Sequence, residues 1–208
     1  MEPVTLAVIN DSPMKPGPFK RMVAALTFQL ERDYNTSAWV KLGLAPPVVI
    51  APAGTVPLGA YTLAVVPTGN GELGEGWHEQ GEDGSIKGFV NYAACHSKGI
   101  PISLIASHES LELLVRGVLE DREGLREILD PNTGDTWRAE VCDPIVDNAY
   151  ELMGEQVADF CEPAWYGLPD GLPFAWYSCR MTVSAPHELG PNGYAEVQRA
   201  GTTGFTQV

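Results

Sequence analysis

The stretch from Pro101 to Leu119 sets the strongest limit on what this chain can become. Leu104, Leu111, Val115 and Leu119 recur at separations of four and seven, the spacing of one helical face, and Pro101 suits the first turn of such a helix. His108 and Glu112 fall in the same stripe: at about 100° per residue, Glu112 and Val115 lie within roughly 40° of His108. An imidazole and a carboxylate on the apolar side of a helix are costly to bury unless they are paired or hold a cation. Glu109 lies about 100° round the helix, toward Arg116.

The preceding segments supply a sheet for this helix to cover. Val4–Asn10 is a β-branched run that stops at Asn10-Asp11-Ser12-Pro13, as a buried strand entering a turn does. Phe19, Met22, Val23, Leu26 and Leu30 predict an amphipathic helix over 18–34. Ser37–Leu42 and Pro47–Ala51 read as strands, Tyr61–Val66 has the strongest strand propensity, and Ile86–Tyr92 can form another. Residues 68–85, with glycines at 69, 71, 74, 76, 81 and 84 and five acids, read as a loop. Beyond the motif helix, 121–129 reads as a second helical piece ending at the turn sequence Asp130-Pro131-Asn132-Thr133-Gly134-Asp135. Thr136–Cys142 follows as a strand and Tyr150–Val157 as a hairpin around Gly154-Glu155. The expected class is α+β: a single domain over 1–208, with a β-α-β-β part at 1–92 and the motif helix and acidic, loop-rich part at 93–208.

Charge narrows the partners. Against 13 Lys and Arg stand 27 Asp and Glu, a net charge of −14, and residues 139–208 hold ten acids with only Arg180 and Arg199. Binding to a phosphate backbone is disfavoured, so no nucleic-acid partner is expected, whereas a divalent cation or plain solvation suits this balance. Cys95, Cys142, Cys161 and Cys179 form no C-x-x-C pair and read as buried free thiols. Met1-Glu2-Pro3-Val4 lacks signal-peptide character, and no apolar run approaches the roughly 18 residues of a membrane span. The expectation is a cytoplasmic protein or one built into a virion, with no membrane partner.

Helical i, i+4 spacing lets His108 and Glu112 point at one ion, with Glu109 placed to take a proton from water as general base. The further ligand comes from Glu140 or Asp143, in Glu140-Val141-Cys142-Asp143-Pro144, or from His78, in Trp77-His78. The structural alternative caps His108 with a backbone carbonyl and pairs Glu112 with Arg116. Other chemistries find less support. The glycine-rich segment matches neither a P-loop nor a dinucleotide fingerprint, no G-x-S-x-G elbow occurs, and Cys95-His96 are chain neighbours, poorly placed to act as nucleophile and base. His187 reads as an exposed loop residue, and Trp165, Tyr166, Phe174, Trp176 and Tyr177 as core packing or an oligomer contact.

A resemblance joins these pieces. Ala25-Leu26-Thr27-Phe28-Gln29-Leu30-Glu31-Arg32-Asp33 with Trp39, Gly71-Glu72-Leu73-Gly74 leading to Trp77-His78, and Ser107-His108-Glu109-Ser110-Leu111-Glu112-Leu113-Leu114 form its first half. Glu140-Val141-Cys142-Asp143-Pro144, Val157-Ala158-Asp159-Phe160 and Pro163-Ala164-Trp165-Tyr166 complete it. Over roughly residues 4–180 this pattern resembles a zincin-like family of mostly uncharacterised bacterial and bacteriophage proteins. The resemblance implies a metalloprotease-like fold, with a mixed sheet, a helix carrying the His-Glu pair and further ligands downstream. Three features depart from the pattern. Arg116–Leu129 intervenes before Asp130-Pro131, the loop before His78 carries the extra Glu75-Gly76, and Glu112 stands where ordinary zincins have histidine. Zinc is the expected metal if the site is catalytic, and the harder oxygen ligand admits calcium or manganese.

Two functions follow as expectations. One is a metal-dependent peptidase acting on a peptide or protein substrate. The other is a virion component, such as a capsid, decoration or neck protein, whose partners are capsid or tail proteins and further copies of itself.

Overall fold

The computed structural model describes residues 1–52, 54–68, 74–81, 84–116, 126–169 and 176–208. The architecture mixes α and β. The predicted β-branched runs form β1 (Val4–Asn10), β2 (Val48–Ile50) and β3 (Tyr61–Val66), and β1 pairs in parallel with the other two. Their buried centres, Leu6, Ala7, Leu63, Ala64 and Val65, explain the continuous apolar character of these runs.

Two further strands follow, β4 (Gly76–Gln80) and β5 (Ile86–Asn91). β5 extends the sheet in parallel and β4 closes it in antiparallel, giving the order β2-β1-β3-β5-β4. The expected loop over 68–85 is therefore a strand in its middle. Trp77 stacks on Phe89 across the ladder with ring centroids 4.8 Å apart, a cross-strand aromatic contact that outweighs the local glycine content. Residues 69–73 and 82–83 of that segment lie outside the described residues.

The first predicted helix is α1 (Pro16–Gln29), continued by a wider helical turn over Leu30–Tyr34, and it buries Met22, Ala25, Leu26 and Gln29. Ser37–Leu42 is not the expected strand. It forms α2 (Ala38–Lys41), because the Ala38 N–H donates to the buried Glu162 carboxylate and the Trp39 indole donates to the Cys161 carbonyl. These partners come from more than a hundred residues away and override the local β propensity. The turn between β5 and the motif helix holds α3 (Tyr92–Lys98), which the sequence reading left out. The Asn91 side chain caps it at the Ala94 N–H, and Gly99 ends it at φ 69.

The motif helix is α4 (Ile102–Arg116), and residues 117–119 of the predicted stretch lie outside the described residues. Its apolar face crosses β3, β5 and β4, and it runs beside α1. A hairpin, β8 (Ala149–Leu152) and β9 (Glu155–Ala158), packs on it as well. β6 (Glu127–Leu129) and β7 (Thr136–Arg138) precede that hairpin in the chain, and β10 (Glu196–Gln198) and β11 (Thr206–Gln207) follow it. These four form an antiparallel sheet in the order β11-β10-β7-β6. The predicted turn at 130–135 holds, but it joins two strands. Residues 127–129 pair with 136–138, so the helical reading of 121–129 fails at its described end, and residues 121–125 lie outside the described residues.

The hairpin expected at Tyr150–Val157 is present, with Met153 and Gly154 at φ 53 and 79 making the tight turn. Trp165 and Tyr166 are buried with Trp39 in edge-to-face contacts, so this part of the aromatic cluster is core, whereas Trp176 is exposed and Phe174 is not described. All four cysteines are free, three of them buried. Among the described residues no helix is long and apolar enough to cross a membrane.

Covering α4 from both sides leaves its small polar residues without water. The Ser107 hydroxyl donates to Gln29 Oε1 at 2.6 Å and accepts from the Ala158 N–H at 3.0 Å, while Gln29 Nε2 donates to the Ala158 carbonyl at 2.8 Å. This closed ring ties α1, α4 and β9 together. Ser107→Ala should lower stability by about 1–3 kcal/mol by orphaning a buried N–H and amide oxygen. A urea midpoint equal to that of the parent protein would contradict this account.

Candidate metal centre

The site is a cleft of about 480 Å³ between α4, β4, the turn after β7 and the C-terminal strap. His108, Glu109 and Glu112 reach it from α4, His78 from β4, and Glu140 and Asp143 from the turn, so all six residues singled out in the sequence line one cavity. Local structure explains each placement. An added Cβ at Gly76 would collide with Glu109 and Ile105, and one at Gly88 would collide with Leu113, so two glycines let β4 and β5 lie directly against α4. The Cys142 N–H donates to Glu112 Oε1 at 3.3 Å, and Asp143-Pro144-Ile145 then forms a tight helical turn that presents Asp143.

The distances are those of a shared centre. His108 Nε2 lies 3.1 Å from Glu112 Oε1 and 3.2 Å from Asp143 Oδ1. His78 Nδ1 lies 3.1 Å from Glu109 Oε2 and 3.6 Å from Glu112 Oε2, and its Nε2 lies 3.5 Å from Glu140 Oε2. Ligand atoms about 2.0–2.2 Å from one divalent cation stand roughly 3.0–3.6 Å from each other, so these spacings fit a coordination shell. Hydrogen bonds alone account for them less well. His108 Nε2 carries one hydrogen at most and meets two carboxylate oxygens at nearly equal range.

Glu109 departs from its expected surroundings. It is only 5% exposed, held between His78 and Gly76, whereas helix geometry alone turned it toward Arg116. Glu112, 3% exposed, meets His108, His78 and the Cys142 N–H. The Arg116 side chain lies outside those described. His187 is not freely exposed either. It stacks on Trp137 with centroids 4.4 Å apart and lies 3.7 Å from the buried Asp130.

Without a cation the cleft gathers protons. Burial lowers the affinity of His78 for a proton, but its contacts with Glu109 and Glu140 outweigh that and push it up to about 10. His108 is likewise raised, with burial opposed by Glu112 and Asp143. Burial also raises Glu112, helped by the charges of Asp143 and Glu140 and opposed by His108. Six ionisable groups are crowded together here, and a divalent cation would take the place of the protons they gather.

Two residues escaped the sequence reading. Cys142 offers a donor atom that, with those of His108 and Glu112, fits within 4.8 Å, although burial and the neighbouring Glu112 and Asp143 charges hold it as a thiol. Its adjacency to Asp143 was the available signal. Tyr194 comes from the strap, where the Tyr194 N–H donates to the Asp143 carbonyl and Gly193, in contact with the Pro144 carbonyl, leaves no room for a side chain. Burial and then the neighbouring Asp143 charge raise the Tyr194 hydroxyl, and no local pattern announced this residue.

In the cation-free protein, the His78 interactions contribute stability that is complete below the usual imidazole value of 6.5 and is lost as pH rises through about 10. The raised Glu112, more protonated folded than unfolded, acts with the same sign. Thermal midpoints of chelator-treated protein should therefore fall from about pH 7 to about pH 10. A rising profile in that window would contradict the arrangement.

No protein-family model, curated protein or solved structure matches the chain, so a functional reading rests on the chemistry of this cleft.

Proposed function

We propose that this chain is a zincin-like, metal-dependent hydrolase of peptide bonds, in which His108, Glu112 and Asp143 hold a divalent cation and Glu109 is the general base. The observation that carries the reading is the convergence of His108, Glu109, Glu112 and Asp143 with His78 and Glu140 on one cleft. A cation held there would supply Lewis-acid chemistry, polarising a carbonyl and acidifying water. Imidazole together with carboxylate favours zinc or manganese over calcium, which prefers an all-oxygen shell.

The chain's own groups divide the remaining work. Glu109, fixed by its contact with His78 and by the bare backbone of Gly76, takes the proton from the attacking water and returns it to the leaving amine. The Tyr194 N–H steadies the Asp143 backbone through its carbonyl, and the Cys142 N–H steadies Glu112. Support for a peptide substrate comes from β4. It is the outer strand of its sheet, and Gly76, Trp77 and His78 line the cleft, so an extended chain can add along it and deliver a carbonyl beside Glu109.

Glu109→Gln should reduce turnover of an unfolded protein substrate by about 10²-fold or more with metal content unchanged. Equal turnover by the variant would overturn the role of Glu109. His108→Ala should lose the metal itself, as read by elemental analysis of the folded variant. A virion component that kept the ion would bind metal and leave unfolded substrates intact.

A further inference from the structure

We infer that the cleft holds two divalent cations bridged by Glu112, a reading that rests on the metal site proposed above and adds a second ion to it. The two carboxylate oxygens of Glu112 face different imidazoles: Oε1 lies 3.1 Å from His108 Nε2, and Oε2 lies 3.6 Å from His78 Nδ1. Each imidazole has its own second carboxylate. Asp143 stands 3.2 Å from His108, and Glu140 stands 3.5 Å from His78. The cleft thus contains two sets, His108 with Asp143 and His78 with Glu140, joined by one carboxylate that has an oxygen toward each ring; His108 meets its carboxylates through Nε2 alone, and His78 through Nδ1 and Nε2. Donor atoms of His78, Glu112 and Glu140 all fit within 4.8 Å of one another. One histidine and two carboxylate oxygens on each ion leave positions open for water and substrate, the usual pattern of a catalytic site. Paired ions about 3.5–4 Å apart are a recognised catalytic arrangement, and a carboxylate with one oxygen on each is a fitting bridge.

Charge points the same way. Besides Glu75, which pairs with Lys98, the carboxylates lining the cleft are Glu109, Glu112, Glu140 and Asp143, and no Lys or Arg is among its described lining residues. A single divalent cation offsets two of these four negative charges, where Glu109 and Glu112 are 5% and 3% exposed, and two cations balance all four without a protonated imidazole. Glu109 remains outside both sets. Its contact with His78 Nδ1 orients the ring.

The test is equilibrium dialysis of the full chain against Mn²⁺ alone, with electron paramagnetic resonance of the loaded protein. Two Mn²⁺ per chain with an exchange-coupled spectrum are expected. Glu140→Gln, folded by circular dichroism, should retain one Mn²⁺ with an uncoupled spectrum, and His78→Gln does the same from the other ligand if Glu140→Gln fails to fold. One ion in the parent protein, two uncoupled ions, or a second ion that survives these substitutions would overturn the inference and leave the single-ion hydrolase standing. No bound ion at all would overturn both.

Discussion

The burial of α4 on two sides governs the rest of the molecule. A helix covered only by a sheet can turn its polar residues to water, but this one carries β3, β5 and β4 on one flank and the β8–β9 hairpin on another. Ser107, Ser110, Glu109 and Glu112 are therefore enclosed, and each needs a partner. Ser110 uses the carbonyl one turn back at Ala106, and Ser107 uses Gln29 and Ala158. Glu112 meets His108 one turn back, and the two glutamates together draw His78 and the turn at Cys142 to them. The cleft is the outcome of that requirement.

Close approach makes the requirement achievable. Gly76 and Gly88 remove the side chains that would otherwise hold β4 and β5 away from Glu109 and Leu113, and Gly193 lets the C-terminal strap cross over Pro144. Three distant parts of the chain can then contribute to one wall. His78 arrives on an antiparallel outer strand, Glu140 and Asp143 on a turn, and Tyr194 on the strap. Because the strand, helix and turn are each hydrogen-bonded or packed in their own right, the donor atoms are positioned before any ligand arrives, which limits the ordering cost of binding.

The electrostatics of the cleft follow from its geometry. Four carboxylates and two imidazoles share a small, largely desolvated volume, and burial alone works against every charged form present. Contacts between unlike groups reverse that penalty for both histidines, while burial, joined by the crowding of like charges, raises Glu112. Such a constellation is balanced by protons or by cations, and the equal reach of His108 Nε2 to two carboxylates favours cations.

The sequence by itself determined the local elements and the residues to watch. The runs at 4–10 and 61–66, the amphipathic start of α1, the turn at 130–135 and the motif helix were all legible, because their signals lie within a few residues of one another. The types and spacing of His108, Glu109 and Glu112 likewise named the candidate centre. Tertiary structure alone decided the rest. Residues 38–41 became helix through Glu162 and Cys161, and 76–80 became strand through pairing with β5. Glu109 turned toward His78 because β4 covers that flank of α4, which no helical wheel records. That His78, Glu140 and Asp143 belong together, and that Cys142 and Tyr194 join them, depends on contacts between residues far apart in the chain. Periodicity carries no information about such contacts, since it reports only which face of an element is buried and never what covers it.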